Sequence, residues 1–246
     1  MPTLLHQKIA AKLKFVEGAN FVTVEDTKNV SEDELVYIIQ HLDLFSNIRN
    51  AENVSILVDE KFTETVGGLL NKRNFQLDDE VLFVYKDLMK LPETDQFYSI
   101  KTLHKMDRNF FISVWADVMK HSCNAPSLLN VEDQLRSAEI ELGSTYKDSC
   151  ILAYENAKPL GVIMPHLEPG TTDEGRLFYF GLVPKERGKG KSVILHQQAL
   201  QLLRYQFHAS HYIGSTSLDN LPMIQTFVHN DCKKIAKIKV FKRTAG

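Results

Sequence analysis

The chain has 246 residues, 43% of them hydrophobic, with 29 basic side chains against 31 acidic ones and a formal net charge of −2. That is enough apolar material for one large domain or two small ones, and too even a charge to draw the whole molecule to nucleic acid or anionic lipid, so any anion site must be local. No cationic stretch leads into an apolar one at the start, no eighteen uncharged apolar residues run together, and Cys123, Cys150 and Cys232 form no CxxC pair, which predicts a cytoplasmic protein with reduced thiols, no membrane span and no metal site.

The periodicities predict α/β structure in two unequal portions, 1–93 and 94–246. In the first, FVTVE (21–25) reads as a strand, and Ser31 with Glu34 forms a capping box ahead of Leu35, Ile38, Ile39 and Leu42 at helical spacing. VSILVD (54–59) is a second strand, 62–75 a short helix weakened by Gly67 and Gly68, and EVLFVYKDL (80–88) a third strand. The second portion opens on a strand at 97–103, followed by an amphipathic helix through Met106, Phe110, Phe111, Val114, Trp115, Val118 and Met119. Asn130 caps a further helix that Gly143 stops. A hairpin then joins 149–155 to 159–167 around Asn156–Ala157–Lys158, and RLFYFGLVP (176–184), apolar at almost every position, predicts a strand covered on both faces.

After Pro184 comes Arg187–Gly188–Lys189–Gly190–Lys191–Ser192, and then Leu195, Ala199, Leu202 and Leu203 mark the buried stripe of a helix. A glycine-rich, cationic loop at a helix N-terminus suits a phosphate: the first-turn N–H groups lack partners, the dipole favours an anion, and glycine lets it approach. Gly190–Lys191–Ser192 ends like a P-loop, but the position that needs the first glycine is Lys185, and no acidic strand end follows to hold a magnesium ion.

The run VPKERGKGKS between strand and helix resembles the coenzyme A pyrophosphate loop, [RQ]-x-x-G-x-[GA], of the GNAT superfamily of acyl-CoA N-acyltransferases. Arg187 and Gly190 fit that pattern, and Ser192 stands where a small apolar residue is usual. Downstream, HYIGSTSL (211–218) as a strand and the segment from Asn220 to Phe227 are similar to the family's N-x-x-[AM]-x-x-x-[YF] stretch, and KKIAKIKVFKR (233–243) would supply the terminal strands. The resemblance covers 97–246 and implies a GNAT-like, mixed and mostly antiparallel sheet flanked by helices. It also implies acetyl-CoA as co-substrate and transfer of its acyl group to a primary amine by direct attack. The coenzyme would lie against Phe180, Gly181 and Leu182, the loop residues Arg187, Gly188, Lys189, Gly190, Lys191, Ser192 and Val193, and Asn220 and Phe227. The partners implied are a coenzyme A thioester and a small-molecule or peptide amine, without nucleic acid or membrane; a homodimer is left open. Residues 1–93 have the element order of the back half of that fold, but between Val24 and Ser31 they carry EDTKN rather than a coenzyme loop, and read as a degenerate half-domain.

Where the resemblance implies acid–base groups the sequence has Arg176, Ser215 and Phe227, none of them a base. Glu174, two residues before Arg176 and on the same strand face, and His166, on the preceding strand, are the substitutes the sequence offers, the imidazole for its ordinary pKa near neutrality. Glu174 sits in a turn-rich setting that equally suits a solvated carboxylate, and a lone histidine is commonly structural. His208 and His211 lack a third ligand for a metal. A catalytically silent acyl-CoA-binding module therefore stands beside the enzyme reading.

Overall fold

Val54, Ile56 and Val58 are buried while their neighbours in 53–59 are half-buried, a period of two that lays one face of a strand on a core. The computed structural model describes residues 4–17, 21–91, 97–124 and 129–244, and the chain divides into two units, Met1–Phe83 with Ala236–Gly246, and Val84–Ile235. The division at 93/94 read from the sequence lies within 92–96, outside the described residues.

The first unit contains helix α1 (Leu4–Ala10), strands β1 (Lys14–Glu17) and β2 (Phe21–Glu25), helices α2 (Glu32–Gln40) and α3 (Ser46–Asn50), strand β3 (Asn53–Asp59) and helix α4 (Glu64–Lys72). Strands β4 (Gln76–Asp87) and β10 (Lys233–Thr244) each contribute a part of their length to it. β1 pairs antiparallel with β2, β2 parallel with β3, and β3 antiparallel with β10 from Asp59↔Ile238 to Asn53↔Thr244. The predicted capping box is present: Glu34 N donates to Ser31 Oγ at 3.2 Å and Ser31 N to Glu34 Oε2 at 2.9 Å. α1, β1 and α3 escaped the sequence reading because each is too short to carry a period. β10 is one continuous strand rather than the terminal strands expected, since 233–244 contains no turn-forming residue to break it.

The second unit runs through β5 (Ser99–Thr102), α5 (Arg108–Met119), α6 (Val131–Leu142), α7 (Tyr146–Ser149), β6 (Ile151–Glu155), β7 (Lys158–Leu167), β8 (Glu174–Leu182), α8 (Lys191–Tyr205), β9 (His211–Ser217) and α9 (Leu221–His229). Its strands lie in the order β9-β8-β7-β6-β5, antiparallel from β5 to β8 and parallel between β8 and β9. Alternation along β6 serves both faces: Leu152 and Tyr154 pack with Phe111, Trp115 and Val118 of α5, while Ile151 and Ala153 pack with Leu195 and Ala199 of α8. Each such fully buried large side chain contributes about 1.5–3 kcal/mol relative to exposure. The predicted hairpin turns through Asn156 (φ 49°) and Ala157 (φ 61°), both left-handed as a two-residue loop demands.

One expectation fails on β8. Instead of being covered on both faces, most of the strand is only half-buried. Two features of its pairing account for this. Ile163 faces Phe180 and Pro165 faces Leu177, so Met164 opposes both Phe178 and Tyr179 and the strand bulges there. On its other side the β8–β9 ladder holds at Glu174↔His211 and Gly175↔Tyr212 and no further, leaving the C-terminal half of β8 with an open edge.

Candidate functional site

The open edge has a definite hydrogen-bonding polarity. Val183 N donates to Leu160 O at 2.9 Å and Val162 stands opposite Gly181, so antiparallel alternation turns the peptide groups of Gly181 toward β7 and those of Phe180 and Leu182 toward the side that β9 has left. A cavity of about 220 Å3 lies there. Phe180, Gly181 and Leu182 form one wall, Gly188 and Ser192 the second, Asn220, Met223 and Thr226 of the α9 region the third, and the stretch from His121 to Asn124 after α5 the fourth.

The loop that enters α8 lies against this cavity. Gly188 (φ 72°) and Gly190 (φ 73°) are left-handed, a conformation that costs other residues roughly 1–2 kcal/mol, and a Cβ at either would meet nothing within 4 Å. Among the described residues no protein acceptor takes the amide hydrogens of Gly188, Lys189, Gly190, Lys191 or Ser192; the first amide past them, Val193 N, donates to Gly190 O at 3.2 Å. No side chain caps the helix. Bare amides, the positive end of a fifteen-residue helix and unfilled space make an anion cradle.

The charged side chains of the loop are used differently from the sequence expectation. Arg187 lines the cavity, but its guanidinium is engaged with backbone carbonyls. Its Nε donates to Leu182 O (3.0 Å), one terminal nitrogen to Lys120 O and His121 O (both 2.8 Å), and the other to Val118 O (2.5 Å). The guanidinium thus satisfies the carbonyls at the C-terminus of α5, where the helix leaves them without partners, and ties them to the end of β8. Lys191 is held by Glu155 and by Glu186 (2.6 Å), which Lys189 also reaches at 3.1 Å. Those carboxylates hold the Lys191 amine above its ordinary pKa, and the two lysines hold Glu186 below the usual carboxylate range. Ser192 does face the cavity, its hydroxyl 3.0 Å from Thr226 Oγ1; Thr226 donates to Pro222 O, so the proton in the first contact is that of Ser192.

Asn220 caps α9 by accepting from Met223 N at 3.2 Å and lines the cavity. Phe227 does not line it: the ring is buried against Tyr212 and His196 in the core. Val193, also assigned to the coenzyme from sequence, contributes its carbonyl to Asn230 Nδ2 (3.1 Å) and is absent from the cavity wall. Gly181 is needed for packing, because a Cβ there would stand 2.7 Å from Val118 Cγ1. Neither substitute base lines the cavity. Glu174 accepts from Arg176 Nε at 2.7 Å with His211 Nε2 at 3.8 Å, and His166, 5% exposed, lies 3.9 Å from Glu168 Oε2. The residues that sequence reasoning missed include His121, Ser122, Cys123, Asn124 and Thr226. No motif marks them; only the path of the chain after α5 and the turn of α9 bring them here.

Behind the cradle sits a histidine that burial keeps neutral. His196 is fully buried among Phe180, Tyr212 and Phe227, its pKa lowered to about 3 first by desolvation and then by Lys86. Asn230 Nδ2 donates to its Nδ1 at 3.1 Å, which leaves the ring proton on Nε2. The folded chain therefore binds this proton far less readily than the unfolded chain, whose histidine titrates near 6.5, and stability is lost as pH falls below that value. At pH 5 the loss from this one group is about 2 kcal/mol. His196→Gln, which keeps an acceptor for Asn230, is expected to melt with a shallower decline between pH 7 and 5 than the wild type; parallel declines would assign the acid sensitivity elsewhere.

Among the described residues no group of three or more His, Cys, Asp or Glu side chains is placed to hold a metal, and no helix is long and apolar enough to cross a membrane. No protein-family model matches the sequence, and no curated protein matches it. Solved structures do match. A GCN5-related N-acetyltransferase from Sphaerobacter thermophilus superposes with a TM-score of 0.66 at 11% identity, over 95% of this chain and 76% of that one. A tandem GNAT protein from the clavulanic acid biosynthesis pathway gives 0.56 at 11% identity, over 95% and 78%. A GCN5-related N-acetyltransferase from Kribbella flavida gives 0.56 at 9% identity, over 98% and 93%. The chain therefore has the fold of the GNAT N-acetyltransferases, with the mixed, mostly antiparallel sheet and flanking helices expected of it.

Proposed function

We propose that this chain, built on the GNAT fold, binds acetyl-CoA and transfers its acyl group to a primary amine of a small molecule or peptide, and that residues 94–246 carry the reaction. The observation that carries the reading is the cradle of bare amides at Gly188–Ser192 opening onto the free edge of β8. The diphosphate would take the amides, and the thioester arm would extend along Phe180–Leu182. The Leu182 N–H, turned toward the cavity, would polarise the thioester oxygen. A neutral amine attacks the carbonyl carbon, its new C–N bond replaces the C–S bond, and coenzyme A leaves as thiolate while the amine proton passes to water or to His121 on the wall. Positioning alone supplies on the order of 7–11 kcal/mol in favourable cases, so a site with little acid–base equipment still suffices.

The first unit supports the proposed role of 1–93 as a half-domain without a coenzyme loop. Its segment after β2 is filled from within: Thr27 Oγ1 donates to Leu57 O (2.6 Å), and Lys61 Nζ to Lys28 O (2.6 Å) and Val30 O (2.8 Å). A silent acyl-CoA-binding module is the second reading, favoured by the engagement of Glu174 with Arg176 and the burial of Phe227.

Thermal-shift titration with acetyl-CoA beside ATP and NAD tests the binding step, since a ligand of the folded state raises the melting temperature with its concentration. Only acetyl-CoA is expected to do so; thiol release with a panel of amines then separates enzyme from module. The thiols give an independent check. Cys123 is exposed and on the cavity wall, whereas burial pushes Cys150 and Cys232 up to about 12. As thiolate is the reactive form, N-ethylmaleimide near neutral pH is expected to modify Cys123 first, and saturating acetyl-CoA to slow that reaction. Equal rates with and without acetyl-CoA would place the ligand elsewhere.

A further inference from the structure

Asn124 spans the cavity by two hydrogen bonds. Its Nδ2 donates to Phe180 O at 3.3 Å, and its Oδ1 accepts from Asn220 Nδ2 at 3.2 Å, with Asn220 itself fixed as the cap of α9. The bonds run from the open edge of β8, through the segment after α5, to the helix that follows β9, and all three residues line the cavity. Of the two β8 carbonyls turned toward the cavity within Phe180–Leu182, Leu182 O is already taken by Arg187. Phe180 O is therefore the acceptor left in this stretch for a ligand lying in the cavity, and a side-chain carboxamide occupies it. A primary carboxamide in this place presents a donor to the strand and an acceptor to the opposite wall, the same pair of groups that a backbone-like amide in an extended ligand would present.

We propose that Asn124 is a built-in competitor for the β8 edge: its carboxamide holds the place of an amide of the coenzyme arm, which pairs with Phe180 only after Asn124 has swung away. This rests on the acetyl-CoA reading above and concerns the regulation of that site. The closed arrangement lowers apparent affinity by the fraction of molecules in which the edge is free, and removing the carboxamide removes that factor. The sign distinguishes it from the ordinary alternative, because truncating a residue that bonds the ligand weakens binding.

The test is titration of acetyl-CoA into the full chain as wild type, Asn124→Ala and Asn124→Ser, by calorimetry and by stopped-flow fluorescence. The single tryptophan, Trp115, packs edge-on to Tyr179 of the β8 bulge and reports on this region. Asn124→Ala is expected to bind about fivefold more tightly or better, through faster association at an unchanged dissociation rate. Asn124→Ser, whose shorter side chain loses the bridge to Asn220, is expected to follow it, and guards against a fold defect in either variant alone. If the wild type binds and neither variant binds more tightly, the competitor role is overturned and the coenzyme assignment stands. If none of the three proteins binds acetyl-CoA, the coenzyme assignment fails and this proposal falls with it.

Discussion

Gly190→Asp is expected to weaken acetyl-CoA binding by at least about thirtyfold while the chain stays folded. Two unit charges about 4 Å apart near a protein surface interact by about 4 kcal/mol, and half of that already corresponds to roughly thirtyfold in affinity. The carboxylate would stand at the N-cap of α8, next to the bare amides that the diphosphate is proposed to fill. The control is Gly190→Ala. A Cβ at this position has nothing within 4 Å, so alanine meets only the backbone strain of φ 73°, about 1–2 kcal/mol of stability, and only a few-fold loss of affinity is expected. Isothermal titration of the two variants decides the matter: equal losses from alanine and aspartate would mean that charge is irrelevant at the loop, and the diphosphate assignment would be wrong.

Arg187→Ala is expected to lower the melting temperature by about 4–8 °C, and Lys191→Met to change acetyl-CoA affinity by less than about threefold. Both outcomes run against a plain reading of the loop as a cluster of phosphate-binding cations. Arg187 donates to four carbonyls, on Val118, Lys120, His121 and Leu182. Charge-assisted bonds are worth about 1.5–3 kcal/mol each when both partners are buried, but two of these are exposed, so about 2 kcal/mol for the group is a fair total, and each kcal/mol moves the transition of a protein this size by about 2–4 °C. Lys191 is already matched by Glu155 and Glu186 and offers the cavity little free charge. Differential scanning calorimetry of Arg187→Ala and Arg187→Lys checks the first expectation: a lysine cannot reproduce the fork of bonds and should recover only part of the loss. A wild-type melting temperature in Arg187→Ala would mean that the carbonyls at the end of α5 find water without cost.

Much of the fold was legible because its signals are local. The capping box at Ser31 and Glu34, the Asn130 cap with Gly143 as stop, and the spacing of Phe111, Val114, Trp115 and Val118 each depend on residues within one helix and its caps. The glycine-rich loop before α8 was legible for the same reason. Left-handed glycines ahead of an amphipathic helix are a property of a dozen consecutive residues, and the backbone they dictate is the backbone that forms.

Side-chain roles were not legible in the same way, because a charge or hydroxyl is spent on whatever the fold brings within about 3 Å. Arg187 finds its acceptors at Val118, Lys120 and His121, residues nearly seventy positions earlier in the chain, and no local pattern predicts that it turns to them instead of an anion. Phe227 occupies the motif position of a ligand-facing aromatic residue yet turns into the core beside Tyr212. Asn124 carries no motif at all and meets Phe180 and Asn220 only because β8 and β9 part after Gly175. The sequence by itself determined the elements, their caps and the bare-amide loop, since those follow from short-range sterics and hydrogen bonding. The tertiary structure decided which side chains face the cavity and which are already satisfied, since that depends on carbonyls and rings supplied from far along the chain.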